Sequence, residues 1–148
     1  MDKQLKVAVF LSRISLGVLF FYAGITKVLN PSWSATEYLN SAKTFPGLFQ
    51  WFASAGNLGW VNFVNEWGLT LVGVALIIGL LVKLASVGGV LLMILYYLPV
   101  LSFPYAGEHS FLVDEHIIYI TTFLVLFASN AGTVWGLDSW FQKRRKYA

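Results

Sequence analysis

No cysteine occurs among the 148 residues, which excludes disulfides, thiolate metal sites and any thiol redox relay within the chain. Redox chemistry, if there is any, needs an external centre. Charge is also scarce: Asp, Glu, Lys and Arg make up 11% of the residues against 57% hydrophobic ones. The mean hydropathy of +0.69 lies well outside the make-up of a soluble globular domain. There are two histidines, His109 and His116, and neither has a cysteine or the other histidine at ligand spacing, so no metal site is expected. No serine–histidine–acid arrangement stands out either. The net charge of +3 comes largely from Lys143, Arg144, Arg145 and Lys146. That run is not interleaved with base-reading chemistry, so nucleic acid is not an expected partner. It reads as an anchor on anionic membrane lipid.

What the chain does have is long apolar runs. Four of them, at about 7–29, 60–82, 84–100 and 111–128, predict an all-α integral membrane four-helix bundle in which 1–148 is one domain. The first run exceeds the roughly 7–15 apolar residues of a signal-peptide core and holds Arg13, so a retained span is expected. Asn30 and Pro31 stop it. The connection from Ser32 to Gly59 carries Trp33, Tyr38, Phe45, Phe49, Trp51 and Phe52. Short interfacial helices near 33–42 and 47–55 are expected there, because so long a structureless stretch would be unusual. Lys83 marks the turn between spans two and three, and Ser102 to Ser110, with Glu108, forms a second loop. Lys3, Lys6, Lys83 and the four tail residues fall on one side and Lys43 alone on the other. The positive-inside rule then puts both termini in the cytoplasm of a multi-pass cell-membrane protein.

At about 100° per residue, Arg13, Gly17, Phe20, Gly24 and Lys27 fall within roughly 80° of one another on the first span. A charge facing lipid costs about 2.5–3.5 kcal/mol on insertion scales, so this stripe is expected to face protein or a polar cavity. Gly17 and Gly24 on the stripe, and Gly73 on span two, are small-residue signals for close helix packing. Arg13 lies about 9 Å inside its span, and its expected partner is Asp138, folded back under the bundle as a bidentate pair.

Lys27, Glu66 and the trio Asp114, Glu115 and His116 share an outer depth, with Asn62 and Asn65 close by. Two readings stand side by side. In one, Lys27 and Glu66 line a polar pocket that binds the head of a small apolar molecule, and His116 exchanges a proton near neutral pH. In the other, Lys27 and Glu66 form a buried ion pair that only registers two helices. On a helix Asp114 and His116 stand about 200° apart, so they are not expected to share a face. Tyr96 and Tyr97 either donate to a bound ring or belong to the interfacial aromatic belt, and the belt is the reading preferred.

The segment RISLGVLFFYAGITK, with Arg13, Gly17, Phe20, Gly24 and Lys27, resembles the opening motif of the DoxX family. These are small four-span membrane proteins that include the DoxD-type small subunit of thiosulfate:quinone oxidoreductase. The likeness extends to Glu66, Gly68 and Gly73, to Asp114, and to Gly132 with Leu137 and Asp138, and leaves the long outer loop unmatched. Thr133 stands where the family often has an arginine, which removes an inner-face anion contact. The resemblance implies redox work in the cell inner membrane, tied to thiosulfate or other sulfur chemistry in one branch and to oxidative stress in another.

Together with the outer polar layer it implies a subunit of a quinone-dependent oxidoreductase, binding quinone or another lipophilic small molecule without a covalent link. A redox partner protein and a homo-oligomer stay open. Lys27 would then meet the developing oxyanion of a reduced head, and Glu66 with Asp114 or His116 would relay its proton. The alternative is a non-enzymatic lipid or small-molecule carrier, or a membrane anchor for a partner protein.

Overall fold

The computed structural model describes residues 1–107 and 109–145; Glu108 of the second loop and Lys146 of the basic tail lie outside the described residues. Helix α1, Lys3–Val28, starts four residues before its expected position, because Asp2 caps it by accepting the Leu5 amide at 2.7 Å. Its buried face holds Arg13, Gly17, Phe20 and Gly24. The face packs against α4, Leu58–Ile78, which runs antiparallel to it. Backbones approach closely along this seam. A Cβ added at Gly17 would stand 3.0 Å from the Leu76 Cβ, one at Gly24 would overlap the Thr70 backbone, and one at Gly73 the Phe21 backbone.

Helix α4 ends earlier than expected. Gly79 takes a left-handed conformation (φ +70°) that terminates it. The turn therefore falls at 79–81, and Lys83 sits in the first turn of α5, Val82–Val100. After α5 comes a short antiparallel hairpin, β1 Leu101–Ser102 with β2 Tyr105–Ala106, where only a loop was expected. Helix α6, Glu115–Ala128, returns antiparallel along α5. The His116 ring stacks on Tyr96, the Phe123 ring covers Gly89, and Lys83 Nζ lies 5.3 Å over the Phe127 ring. Phe20 of α1 meets Phe123 edge-on at 5.0 Å and Tyr119 at 6.0 Å, which closes the four long helices around one core.

The fourth helix is shorter than the run at 111–128 predicts. Residues 111–114 pair with and follow the hairpin, and Asp114 caps α6 by accepting the amides of His116 and Ile117. Its 14 residues reach about 21 Å. Among the described residues, α1, α4 and α5 are long and apolar enough to cross a membrane.

Two short helices form in the long connection, α2 Thr36–Asn40, within the expected 33–42, and α3 Pro46–Ala53, which begins one residue before the expected 47–55. They build a second core around Leu39 and Phe49. This cap is tied to the end of α5, where the last helical carbonyls have no intrahelical donor. The Lys43 amide donates to Pro99 O at 3.0 Å and Thr44 Oγ1 to Leu101 O at 2.6 Å. At the other end of the bundle a 3₁₀ turn, Ala131–Thr133, and α7, Asp138–Arg145, fold under the α4–α5 turn. There Leu137 N donates to Ile78 O at 3.3 Å and Asp138 N to Gly79 O at 2.9 Å.

Candidate functional site

The polar groups gather at the two ends of the bundle. At the end formed by the α4–α5 turn Arg13 is 1% exposed and lies against Gly79 and Gly136, where any side chain would collide with its guanidinium. The expected bidentate pair with Asp138 is not formed. Arg13 Nη1 donates to Ala131 O at 2.9 Å and Nη2 to Trp135 O at 3.4 Å. The Asp138 carboxylate is engaged elsewhere, accepting Leu81 N at 2.8 Å and Val82 N at 3.1 Å. It thereby caps α5, whose own N-cap residue Leu81 supplies no side-chain acceptor. The carbonyls of the non-helical stretch after α6 suit a cation, and free amides at the start of a helix suit a carboxylate. Each ion therefore binds backbone, and together they hold the segment after α6 in place.

At the end capped by α2 and α3 the Lys27–Glu66 ion pair, one of the two readings of these residues, is not formed. Lys27 Nζ donates to Asn65 Oδ1 at 3.0 Å and to the Tyr96 hydroxyl at 2.7 Å, while Tyr96 donates to Asn65 Oδ1 at 2.6 Å. The ammonium also lies 4.7 Å from the Trp33 ring centre and 5.1 Å from that of Tyr96, within cation–π range. Asn65 precedes Glu66 by one residue, about 100° around α4, and that rotation decides which side chain meets Lys27. Glu66 makes no hydrogen bond through its carboxylate among the described residues, and it acts on Lys27 only through space.

Asn65 and Tyr96 form the polar end of a cavity of about 130 Å³. Its remaining lining is apolar apart from Tyr38: Ala35, Leu39, Phe49 and Phe52 from the cap side, Trp60, Val61 and Val64 from α4, and Leu92 and Leu95 from α5. Trp60, Val64 and Leu95 at its rim are exposed on the side of the bundle. Tyr38 donates its hydroxyl to Tyr96 O. Burial, reinforced by Tyr96, Asp114 and Glu115 nearby, pushes the Tyr38 phenol well above its usual value, so it stays a neutral donor. Asn62 is not in the cavity. Its Oδ1 accepts the Ala35 amide at 3.1 Å and so fixes the start of α2 over the site. Asn62→Ala is expected to remove about 1 kcal/mol from that attachment, read as roughly fivefold faster amide hydrogen exchange over residues 35–42.

Asp114 and His116 both face inward, against the expectation that they could not share a face. Asp114 is the N-cap of α6 with extended backbone, so the 100° helical step does not apply to it. Its Oδ2 meets His116 Nδ1 at 2.7 Å, with side-chain exposures of 10% and 14%. Glu115 is exposed. The His116 ring stacks on Tyr96 at 6.0 Å with 17° between planes, and the pair lines a second cavity of about 260 Å³ beside the hairpin.

Tyr96 thus lines the first cavity and carries the His116 ring, which lines the second, on its face. Tyr96, Trp33 and Tyr38 are the site residues that sequence reasoning did not place. Their one signal was an aromatic side chain at the depth of Lys27, and the interfacial belt gives the same signal.

A helical bundle with three helices long and apolar enough to cross a membrane, capped on one face over a small apolar cavity, defines a multi-pass membrane protein. The DoxX family model matches residues 8–101, more than half of the chain, and the chain belongs to the DoxX family. The matched stretch runs through the long connection, which the quoted motifs had left out, and ends before Asp114 and the segment after α6. Comparison with curated proteins and with solved structures finds no match.

Proposed function

We propose that this protein binds the ring head of a quinone-like lipophilic molecule in the cavity beneath α2 and α3, as the membrane subunit of an oxidoreductase system whose electrons come from a partner protein. One observation carries the reading: Asn65 and Tyr96, both hydrogen-bonded to Lys27 behind them, form the polar end of an otherwise apolar pocket. Ligand sites are concave and mostly apolar, with a few convergent polar groups. The residues fit such a head. About 130 Å³ suits a ring and not a long tail, and the exposed rim at Trp60, Val64 and Leu95 leaves a tail to run outward along the apolar helix faces. A ring oxygen at that end accepts the Tyr96 O–H in place of Asn65 Oδ1, and the Lys27 charge behind Tyr96 stabilises negative charge that develops there. A bound quinone supplies two-electron, two-proton chemistry.

The same proposal includes four crossings with both termini cytoplasmic. It is supported by α6 running the length of α5, by the segment after α6 docking on the α4–α5 turn, and by the excess of lysine and arginine at that end.

The test is titration of the purified protein with a decyl-substituted benzoquinone. Lys27→Ala and Tyr96→Phe are each expected to weaken binding about tenfold or more, the scale of a hydrogen bond to a charged group. Glu66→Gln is expected to leave it within about twofold, since a charge acting only through solvent-accessible space contributes little. Unchanged affinity in both Lys27→Ala and Tyr96→Phe would overturn the assignment.

A further inference from the structure

The cavity beneath α2 and α3 is closed toward the cap and open toward the side. Its fully buried lining residues, Ala35, Leu39 and Phe49, all belong to the cap, whereas its exposed ones, Trp60, Val64 and Leu95, all stand on α4 and α5. The roof is also tied down at several points. Asn62 holds the Ala35 amide, the Tyr38 hydroxyl reaches Tyr96 O, and the Lys43 amide and the Thr44 hydroxyl bind the end of α5. A molecule entering through the cap has to break these bonds.

The open side lies at membrane depth. Helices α4 and α5 have 21 and 19 residues, about 28–32 Å, against a hydrocarbon core of about 30 Å. Val64, measured from Leu58, and Leu95, measured back from Val100, lie about 7–9 Å inside the capped ends of their helices, which is within the hydrocarbon. Each methylene favours that phase over water by about fourfold, so a tailed molecule is concentrated at this opening and scarce at the water side of the cap. Trp60 stands at the same rim, and its ring is fixed from the end of α3. Its Nε1 donates to Asn57 Oδ1 at 3.1 Å, and Asn57 Nδ2 donates in turn to Trp51 O at 3.0 Å and Ser54 Oγ at 3.1 Å. The indole also meets Phe52, another lining residue, edge-on at 5.8 Å.

We propose that the opening between α4 and α5 is the ligand's route: a tailed lipophilic molecule enters the cavity head first from the bilayer, Trp60 is the gate it passes, and Asn57 is the positioning residue that sets the gate. The inference rests on the cavity being a ligand site. Passage of a ring requires the Trp60 indole to leave both Phe52 and the Asn57 oxygen, so these two contacts govern entry and exit together. A gate of this kind changes rates more than affinity.

The experiment uses the full chain in lipid nanodiscs and the decyl-substituted benzoquinone as probe, with association and release rates read by stopped-flow quenching of tryptophan fluorescence. Trp60→Ala is expected to speed both rates about fivefold, the scale of a lost ring contact. Asn57→Ala is expected to speed both about threefold, the scale of a lost hydrogen bond, with affinity in each variant held within about twofold. Val64→Trp fills the rim and is expected to slow both about tenfold; if it does not fold, Trp60→Ala, at an exposed position, carries the test. Asn62→Ala loosens the cap and is expected to leave both rates unchanged. Rates that rise in Asn62→Ala and ignore changes at the rim put the route through the cap and overturn the proposal.

A second readout needs no ligand. The chain has no cysteine, so Leu95→Cys takes a single nitroxide label. Dissolved oxygen is expected to relax that label more than a water-soluble nickel chelate does, the mark of a side chain in hydrocarbon, and the reverse order overturns the lateral route. Quinone left unbound by a chain whose label lies in hydrocarbon overturns the quinone reading and upholds the opening to the bilayer. Quinone bound at rates insensitive to the rim overturns this inference and leaves the quinone reading standing.

Discussion

Gly73→Leu is expected to abolish the folded bundle, and Gly24→Leu to do the same. At Gly73 even a Cβ would overlap the backbone nitrogen and Cα of Phe21, and at Gly24 the backbone nitrogen and Cα of Thr70. Extra atoms in a packed core cost about 1–3 kcal/mol when side chains can move aside. Here the obstacle is main chain, so α1 and α4 must separate along the seam that also carries Phe20 and Leu76. A loss above about 3 kcal/mol is expected, seen as aggregation on size-exclusion chromatography and no cooperative thermal transition.

Gly88→Ala is the control. The nearest atom to its added Cβ is Val72 Cγ2 at 3.9 Å, and alanine is up to about 1 kcal/mol better than glycine inside a helix. Its melting temperature should equal or slightly exceed that of the parent. If Gly73→Ala proved as stable as Gly88→Ala, the close α1–α4 approach would be wrong.

Arg13→Leu is expected to release the segment that follows α6. The guanidinium is 1% exposed and is the donor to both Ala131 O and Trp135 O. Ala131 O would keep only the Val134 amide and Trp135 O would lose its side-chain donor; a lost hydrogen bond to a charged group costs about 1.5–3 kcal/mol, and removing a desolvated charge returns part of that. The net expectation is a loss of about 1–3 kcal/mol, concentrated at the end formed by the α4–α5 turn. Limited proteolysis should then cut between residues 129 and 137, where the parent resists.

Arg13→Lys should fall between the two, since a single ammonium cannot spread across both carbonyls as the planar guanidinium does. Asp138→Ala should give a smaller version of the same phenotype, about 1–2 kcal/mol, typical of a lost helix cap, because Leu81 N and Val82 N lose their acceptor. Protease resistance in Arg13→Leu equal to the parent would show that backbone bonds from Leu137 and Asp138 to Ile78 and Gly79 hold the segment without it.

Both expectations turn on features the sequence marked without explaining. The stripe of Arg13, Gly17, Phe20 and Gly24 was legible because helical periodicity places a side chain at a known angle and depth. Those same four residues are the buried face of α1. What lies opposite was not legible. Asp138 was expected on Arg13 because opposite charges attract, yet both ions are taken by backbone groups, Arg13 by carbonyls after α6 and Asp138 by the amides that start α5. Such groups carry no letter in the sequence.

The Lys27 site divides in the same way. The sequence by itself determined that the chain is a helical membrane protein, that Lys27 sits near one end of its span among polar neighbours from other helices, and that the long connection folds into short helices. These follow from hydropathy and a fixed rise and turn per residue. Only the tertiary structure decided that Lys27 meets Asn65 and Tyr96 and not Glu66, that Asp114 leaves the helix and turns back onto His116, and that α2 and α3 roof an apolar cavity. A helix's own sequence fixes which residues share a face. The rotation of its neighbour, set by packing along the whole length of both, selects the side chain that fills the gap.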